Sequence, residues 1–165
     1  MAHEQVLVLI KPDAMVKNLY GLVLDNLAQS GLKLVGAKLV ETQKEIIEKH
    51  YAVHFGKPFY EKLVDHLLGK YHVGEVFAMV YSGDSAIKRM RDFAGETHPE
   101  KAKPTSLRGR FGRIHTTTDV FENVVHVSDA PETAEAEIKL WFSPEELTEI
   151  IYKTKKSEID ATVWA

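Results

Sequence analysis

Cysteine is missing altogether, which rules out disulfides and thiol chemistry and makes a disulfide-stapled secreted module untenable. Excess charge is scarce too. A formal net charge of −3 makes no general case for binding nucleic acid or a membrane surface, so any anion site has to come from local clustering. Long apolar runs are also lacking: Val6–Ile10 stops at Lys11-Pro12-Asp13, too short for a signal-peptide core or a membrane span, and a cytoplasmic protein is the expectation. Internal repeats and low-complexity segments do not occur. What is there is 165 residues, 44% of them hydrophobic, enough for one well-buried core and too few for two ordinary domains. A single domain over residues 1–165 is expected, with an aperiodic C-terminal tail at 153–165.

Apolar periodicity predicts the elements. Val6–Ile10, Leu32–Val40, Tyr71–Tyr81 and Asn123–Val127 read as strands, the first as a buried central one whose carboxyl end presents Lys11. Helices follow from Leu19, Val23, Leu24 and Leu27 with Gly31 as the stop, and from Ala86, Ile87, Met90 and Phe93 closed by Gly95. Between the second and third strands lies a helical pair. Its first member is opened by a Thr42–Glu45 capping box, and its second by Pro58 with Phe59, Leu63 and Leu67 in register. After His126, a further box of Asp129 with Glu132, and Pro131 in the first turn, predict another helix, and Ser143, Pro144 and Glu146 cap a last short one. The simplest topology for this order is α+β: a ferredoxin-like βαββαβ sandwich, a four-stranded antiparallel sheet with helices on one face.

Chemistry concentrates at the strand ends. His126 lies at a strand-to-helix junction, where the free N–H groups and partial positive charge of a helix start weigh against imidazolium and favour a nearby anion. That suits a neutral nucleophilic imidazole, against which stands the plainer reading of a satisfied core histidine. The stretch KAKPTSLRGRFGR at 101–113 has five basic residues and no acidic one in a net acidic chain. A solvated loop is one reading of it. Arginines beside glycines also make the cradle that phosphate oxygens require. His50 and His54, four apart, could in principle share a metal, but Tyr51 stands where a HExxH pattern needs glutamate and no third ligand is evident, so no protein-held metal is expected. Together, the histidine, the lysine and the arginines are parts for phosphoryl transfer.

The chain resembles the nucleoside diphosphate kinases from about Val6 to Ile151. IKPDA at 10–14, HYAVHFGKPFYEKLV at 50–64, GETHP at 95–99, SLRG at 106–109, NVVHVSD at 123–129 and LWFSPEEL at 140–147 occur in the family's order. The resemblance implies ping-pong transfer of a γ-phosphate from a nucleoside triphosphate to a diphosphate through a phosphohistidine on His126, with Mg²⁺ carried on the nucleotide. By motif, Glu137 and Ser128 would hold the imidazole, Lys11 would neutralise the transferring phosphate and meet the ribose 3′-hydroxyl, and Tyr51 would sit beside it. Arg91, Thr97 and Arg108 match the phosphate-holding set, Asn123 the amide that reads the sugar, and Phe59 with Leu63 the platform under the base. The same resemblance implies a homohexamer, with a tetramer as alternative, and neither a membrane nor nucleic acid as main partner.

The chain departs from the family pattern at Val127 and Ala130, which stand where glycine and serine are usual. Arg110 replaces an acid and Ala14 a glycine. About five extra residues lie between Arg108 and Asn123, which leaves the other wall of the base slot unassigned. Two rival readings remain, a non-catalytic nucleotide-binding module on the same fold and a nucleic-acid binder using 101–113. The first has no need of a nucleophile with its own carboxylate. The second lacks aromatic interleaving, with only Phe111 in that run.

Overall fold

Strand β1 (His3–Ile10) is fully buried from Val6 onward in the computed structural model, which describes residues 3–156 and, as backbone only, 162–164. Successive side chains of a strand point to opposite faces, and here Val6, Val8 and Ile10 join one apolar cluster while Leu7 and Leu9 join another. Helices therefore cover both faces of the sheet. This corrects the one-sided packing expected from the element order, and the reason is in the strand itself: an unbroken apolar run can be buried only between two layers.

The chain continues through α1 (Pro12–Met15), α2 (Tyr20–Ala28), β2 (Lys33–Glu41), α3 (Lys44–His50), α4 (Tyr60–Leu67), β3 (Glu75–Asp84) and α5 (Ala86–Ala94). Then come α6 (Leu107–Phe111), β4 (Arg113–Ile114), β5 (Phe121–Glu122), β6 (Val125–Val127) and α7 (Pro131–Trp141), followed by the short pair β7 (Thr154–Lys156) and β8 (Thr162–Trp164). The main sheet has the order β2-β3-β1-β6 with every neighbouring pair antiparallel, which is the ferredoxin-like α+β arrangement. Val23 and Leu27 of α2 and Ile87 and Met90 of α5 pack on one face, and Ile47 of α3, Val64 and Leu67 of α4, and Ile138 and Trp141 of α7 on the other. On β6, Val125 and Val127 belong to the first cluster, so His126, opposite Leu9, points to the second face, toward α3 and α7. No helix among the described residues is long and apolar enough to cross a membrane.

Four local expectations are corrected. The third strand starts at Glu75 rather than Tyr71, because residues 68–74 turn back on themselves: Gly69 has φ +81°, and a Cβ there would lie 2.4 Å from the Gly74 nitrogen. The fourth starts at Val125, because Val124 takes φ +71° and the Val125 N–H donates to the Asn123 carbonyl at 2.7 Å, a strained γ-turn. The Thr42 hydroxyl donates to Leu67 O and Gly74 O at 2.8 and 3.1 Å instead of capping α3, whose N-cap is Gln43. Pro131 does open α7, but the N-cap is Ala130 with no side-chain cap, so the Asp129–Glu132 box does not form. Inside the irregular 95–119 stretch sits the unpredicted α6, where Ser106 accepts the Gly109 N–H at 3.3 Å.

Candidate active site

The γ-turn before His126 is held from both sides. Asp13 of α1 accepts the Val124 N–H at 3.0 Å, and Val124 O accepts the Lys11 N–H at 2.8 Å. A β-branched residue at positive φ is disfavoured by about 1–3 kcal/mol and persists only where its surroundings over-determine it. Here the turn swings Asn123 toward Lys11 while leaving His126 in regular strand register.

Behind His126 a buried carboxylate organises three groups. Glu137 Oε2 accepts the Ser128 hydroxyl at 2.6 Å, and Ser128 Oγ in turn accepts the Leu7 N–H at 3.1 Å, which ties the carboxylate to the central strand. Oε1 lies 3.0 Å from His126 Nε2 and 3.7 Å from His50 Nε2. The His126 contact is close but not aligned as a hydrogen bond. His50 stacks edge-on beneath His126, ring centroids 4.4 Å apart, and its Nδ1 accepts the Trp141 indole N–H at 3.0 Å, so its proton is on Nε2, facing Glu137. Burial, and then repulsion from His126 and His54, holds His50 well below the ordinary imidazole range.

The cationic side is equally bound. Lys11 Nζ donates to Asn123 Oδ1 at 2.8 Å and to Phe121 O at 3.1 Å, and Asn123 Nδ2 donates to Thr97 O at 2.8 Å. Burial lowers the Lys11 pKa, opposed by the Asp13 carboxylate. Arg108 is buried, spans Gly95 O (2.8 Å) and Val125 O (2.9 Å), and keeps Nε without a partner among the described residues; burial and the nearby Arg91 bring it down to about 10, so it remains a cation at neutral pH. Burial, with Glu137 nearby, raises the Tyr51 hydroxyl, which stays protonated.

Lys11, Tyr51, Phe59, Leu63, Arg91, Thr97, Arg108, Asn123, His126 and Glu137 all line one cleft of about 500 Å³. Ser128 lies behind it, fully buried, and acts through Glu137. The cleft also takes in residues that sequence reasoning did not assign: His50 and His54, Asp129 and Thr133 near the start of α7, and Asp119, Val120 and Phe121 from the stretch lengthened by the extra residues. His50 and His54 do not share a helix face, because α3 ends at His50. The three arginines of the basic run are engaged, Arg110 donating to Asn26 Oδ1 (2.9 Å), Arg113 pairing with Glu122 and Arg108 turned inward, while Lys101 and Lys103 are exposed.

A model of the nucleoside diphosphate kinase family matches residues 4–147. The chain belongs to that family. A nucleoside diphosphate kinase from Thermococcus kodakarensis is 44% identical over 146 residues, 88% of this chain and 80% of that relative. Among solved structures, the Aquifex aeolicus nucleoside diphosphate kinase superposes with a TM-score of 0.79 at 36% identity, covering 89% of this chain and all of that one. The Borrelia burgdorferi nucleoside-diphosphate kinase, solved as a transition-state mimic with bound vanadate and ADP, gives 0.79 at 27% identity, covering 90% of this chain and 92% of that one. Against the usual pattern of nucleoside diphosphate kinases, Val127 causes no strain. It pairs with Val8 in regular register, and the positive φ falls three residues earlier, at Val124.

Proposed function

We propose that this chain is a nucleoside diphosphate kinase that carries the γ-phosphate on His126 in a ping-pong cycle. Its Nε2 is buried against Glu137, so that nitrogen bears the proton and Nδ1 offers the lone pair. Nδ1 attacks the γ-phosphorus as the bond to the bridging β–γ oxygen breaks, and the nucleoside diphosphate leaves. A second nucleoside diphosphate then takes the phosphoryl group by the reverse steps, and His126 is restored. As the N–P bond forms, positive charge grows on the ring, and Glu137 is the group that compensates it. Lys11, Arg91 and Arg108 offset the charge on the phosphoryl oxygens. Two of the three Lys11 donors are held by Phe121 O and Asn123 Oδ1, which fixes its direction and leaves one for substrate.

Mg²⁺ enters as part of the nucleotide substrate. The base is read as stacking on Phe59, which is 45% exposed, beside Leu63, with Val120 and Phe121 as the remaining apolar groups of the slot. Ring-face stacking suits any base, so broad base tolerance is expected. We also read the chain as a homo-oligomer, a hexamer with a tetramer as alternative.

The observation that carries the proposal is the Glu137–His126 contact inside a cleft that also holds Lys11, Arg91 and Arg108. Initial-rate kinetics with two nucleotides test it. Parallel double-reciprocal lines are expected, and His126→Ala is expected to lose at least about 10³-fold in kcat while keeping its far-UV circular dichroism and nucleotide binding. Substantial turnover in the variant, or its failure to fold, would remove His126 from this role.

A further inference from the structure

A second cluster of titratable side chains lies beyond the Lys11–Asn123 wall of the cleft. His66 at the end of α4, His72 in the loop before β3 and Glu122 of β5 each turn one ligand-capable atom to a common point, all three atoms within 4.8 Å of one another. His72 Nε2 is 2.5 Å from Glu122 Oε1, and His66 Nε2 is 2.7 Å from the Thr118 hydroxyl, which is itself 3.0 Å from His115 Nδ1. The His115 ring stands 4.9 Å from that of His66. Glu122 is almost fully buried, and Lys17 and Arg113 both contact its other oxygen, Oε2, which leaves Oε1 facing the histidines. Beside them is a pocket of about 10 Å³ whose polar lining is His66, His72 and Glu122 with Lys11 and Asp13, room for one small ion or water.

Three imidazoles packed together repel one another when protonated. A neutral imidazole presents one ring-nitrogen lone pair to an ion. A donor set of imidazole nitrogens and one carboxylate oxygen matches zinc-type ions, which take such ligands at about 2.0–2.2 Å, and not the hard cations, which prefer oxygen alone. The cation that accompanies nucleotide phosphates therefore has no preference for this point.

We propose that His66, His72 and Glu122, with water as the fourth donor, bind one divalent transition-metal ion of the zinc type. The ion ties the loop between α4 and β3 to the 113–122 segment. That segment contains Phe121, whose carbonyl holds Lys11, and leads directly into Asn123, so the ion braces the floor of the cleft from behind without touching substrate.

Chelator-treated full-length protein, titrated with Zn²⁺ alone by calorimetry and with Co²⁺ in the visible, tests this. One ion per chain is expected, with the Co²⁺ absorption of a four-coordinate site and a higher Tm in the presence of Zn²⁺. His72→Gln keeps a donor for Glu122 but has no ring nitrogen. It is expected to weaken Zn²⁺ binding by about tenfold or more while leaving phosphotransfer in the absence of Zn²⁺ unchanged. His126→Ala is expected to bind Zn²⁺ as tightly as the parent. Should His72→Gln fail to fold, the zinc-edge absorption spectrum of Zn²⁺-loaded His126→Ala protein decides, and at least two imidazole ligands are expected. The proposal is overturned if the parent binds no ion, if His72→Gln binds undiminished, if His126→Ala abolishes binding and so puts the ion in the cleft, or if the spectrum has no imidazole contribution.

Discussion

Burying an imidazole leaves a pH signature, and His50 carries one of the clearest. Its ring is packed between Trp141 and His126, with the indole N–H on Nδ1 and Glu137 Oε1 3.7 Å from Nε2, so protonation would put a charge into a site shut off from water. Burial is the larger cause of its lowered pKa, and His126 and His54 add to it. Since the folded value lies below the ordinary 6.5, the unfolded chain takes up the proton first. The stability this group contributes is complete above about pH 6.5 and is lost as the pH falls through that value toward the lower folded one. The Tm of the parent is therefore expected to fall more steeply between about pH 7 and pH 5 than that of His50→Gln, whose amide can still accept the indole N–H. Thermal melts of both proteins across that range check it, and equal slopes would contradict the role given to burial. Nothing near residue 50 in the sequence names Trp141 or Glu137 as its neighbours. They meet because α3 and α7 pack on the same face of the sheet.

Helix α7 begins without a side-chain cap, at a residue whose backbone is already shaped for one: Ala130 has φ −147° and ψ 161°. A serine there can accept one of the helix's free N–H groups, and Ala130→Ser is expected to stabilise the fold by about 1 kcal/mol. The measurement is urea unfolding. A midpoint raised at unchanged m supports the reading, and an unchanged midpoint goes against it. This position illustrates what could be read in advance. Strand and helix identities followed from apolar period, and Pro131 marked the helix start correctly. The Asp129–Glu132 spacing suggested a cap that the chain does not use, since the extended backbone runs one residue further before it turns. The γ-turn at Val124 left no trace in the sequence, because a valine usually argues for a plain strand. It arises from Lys11 and Asp13, which are distant in the chain. The motif strings, by contrast, hold eight of the ten assigned side chains that line the single cleft, with Arg91 and Glu137 outside the strings, and also Ser128, directly behind it.

At the scale of the whole molecule, the unbroken apolar strand demanded two covering layers, and the residues that meet through that layering were the ones hidden from sequence: His50 with Glu137, and His66 with Glu122. Exposed apolar groups remain, among them Leu39 at 58%, Val53 at 76% and Phe55 at 77%. Packing such groups on a neighbouring copy would stabilise an assembly. Trp164, the tryptophan of the C-terminal tail, has only its backbone described, and Ala165 lies outside the described residues. Light scattering at micromolar concentration is expected to give the mass of six chains, or of four; a monomer would reject the assembly. The central claim is the phosphoryl group on His126, and the direct measurement is to load the protein with γ-labelled ATP, remove nucleotide, and locate the label by ³¹P NMR and mass spectrometry. The account predicts a base-stable, acid-labile phosphoryl group on Nδ1 of His126, discharged when a nucleoside diphosphate is added and absent from His126→Ala. A label on any other residue, on Nε2, or still present in the variant would contradict it.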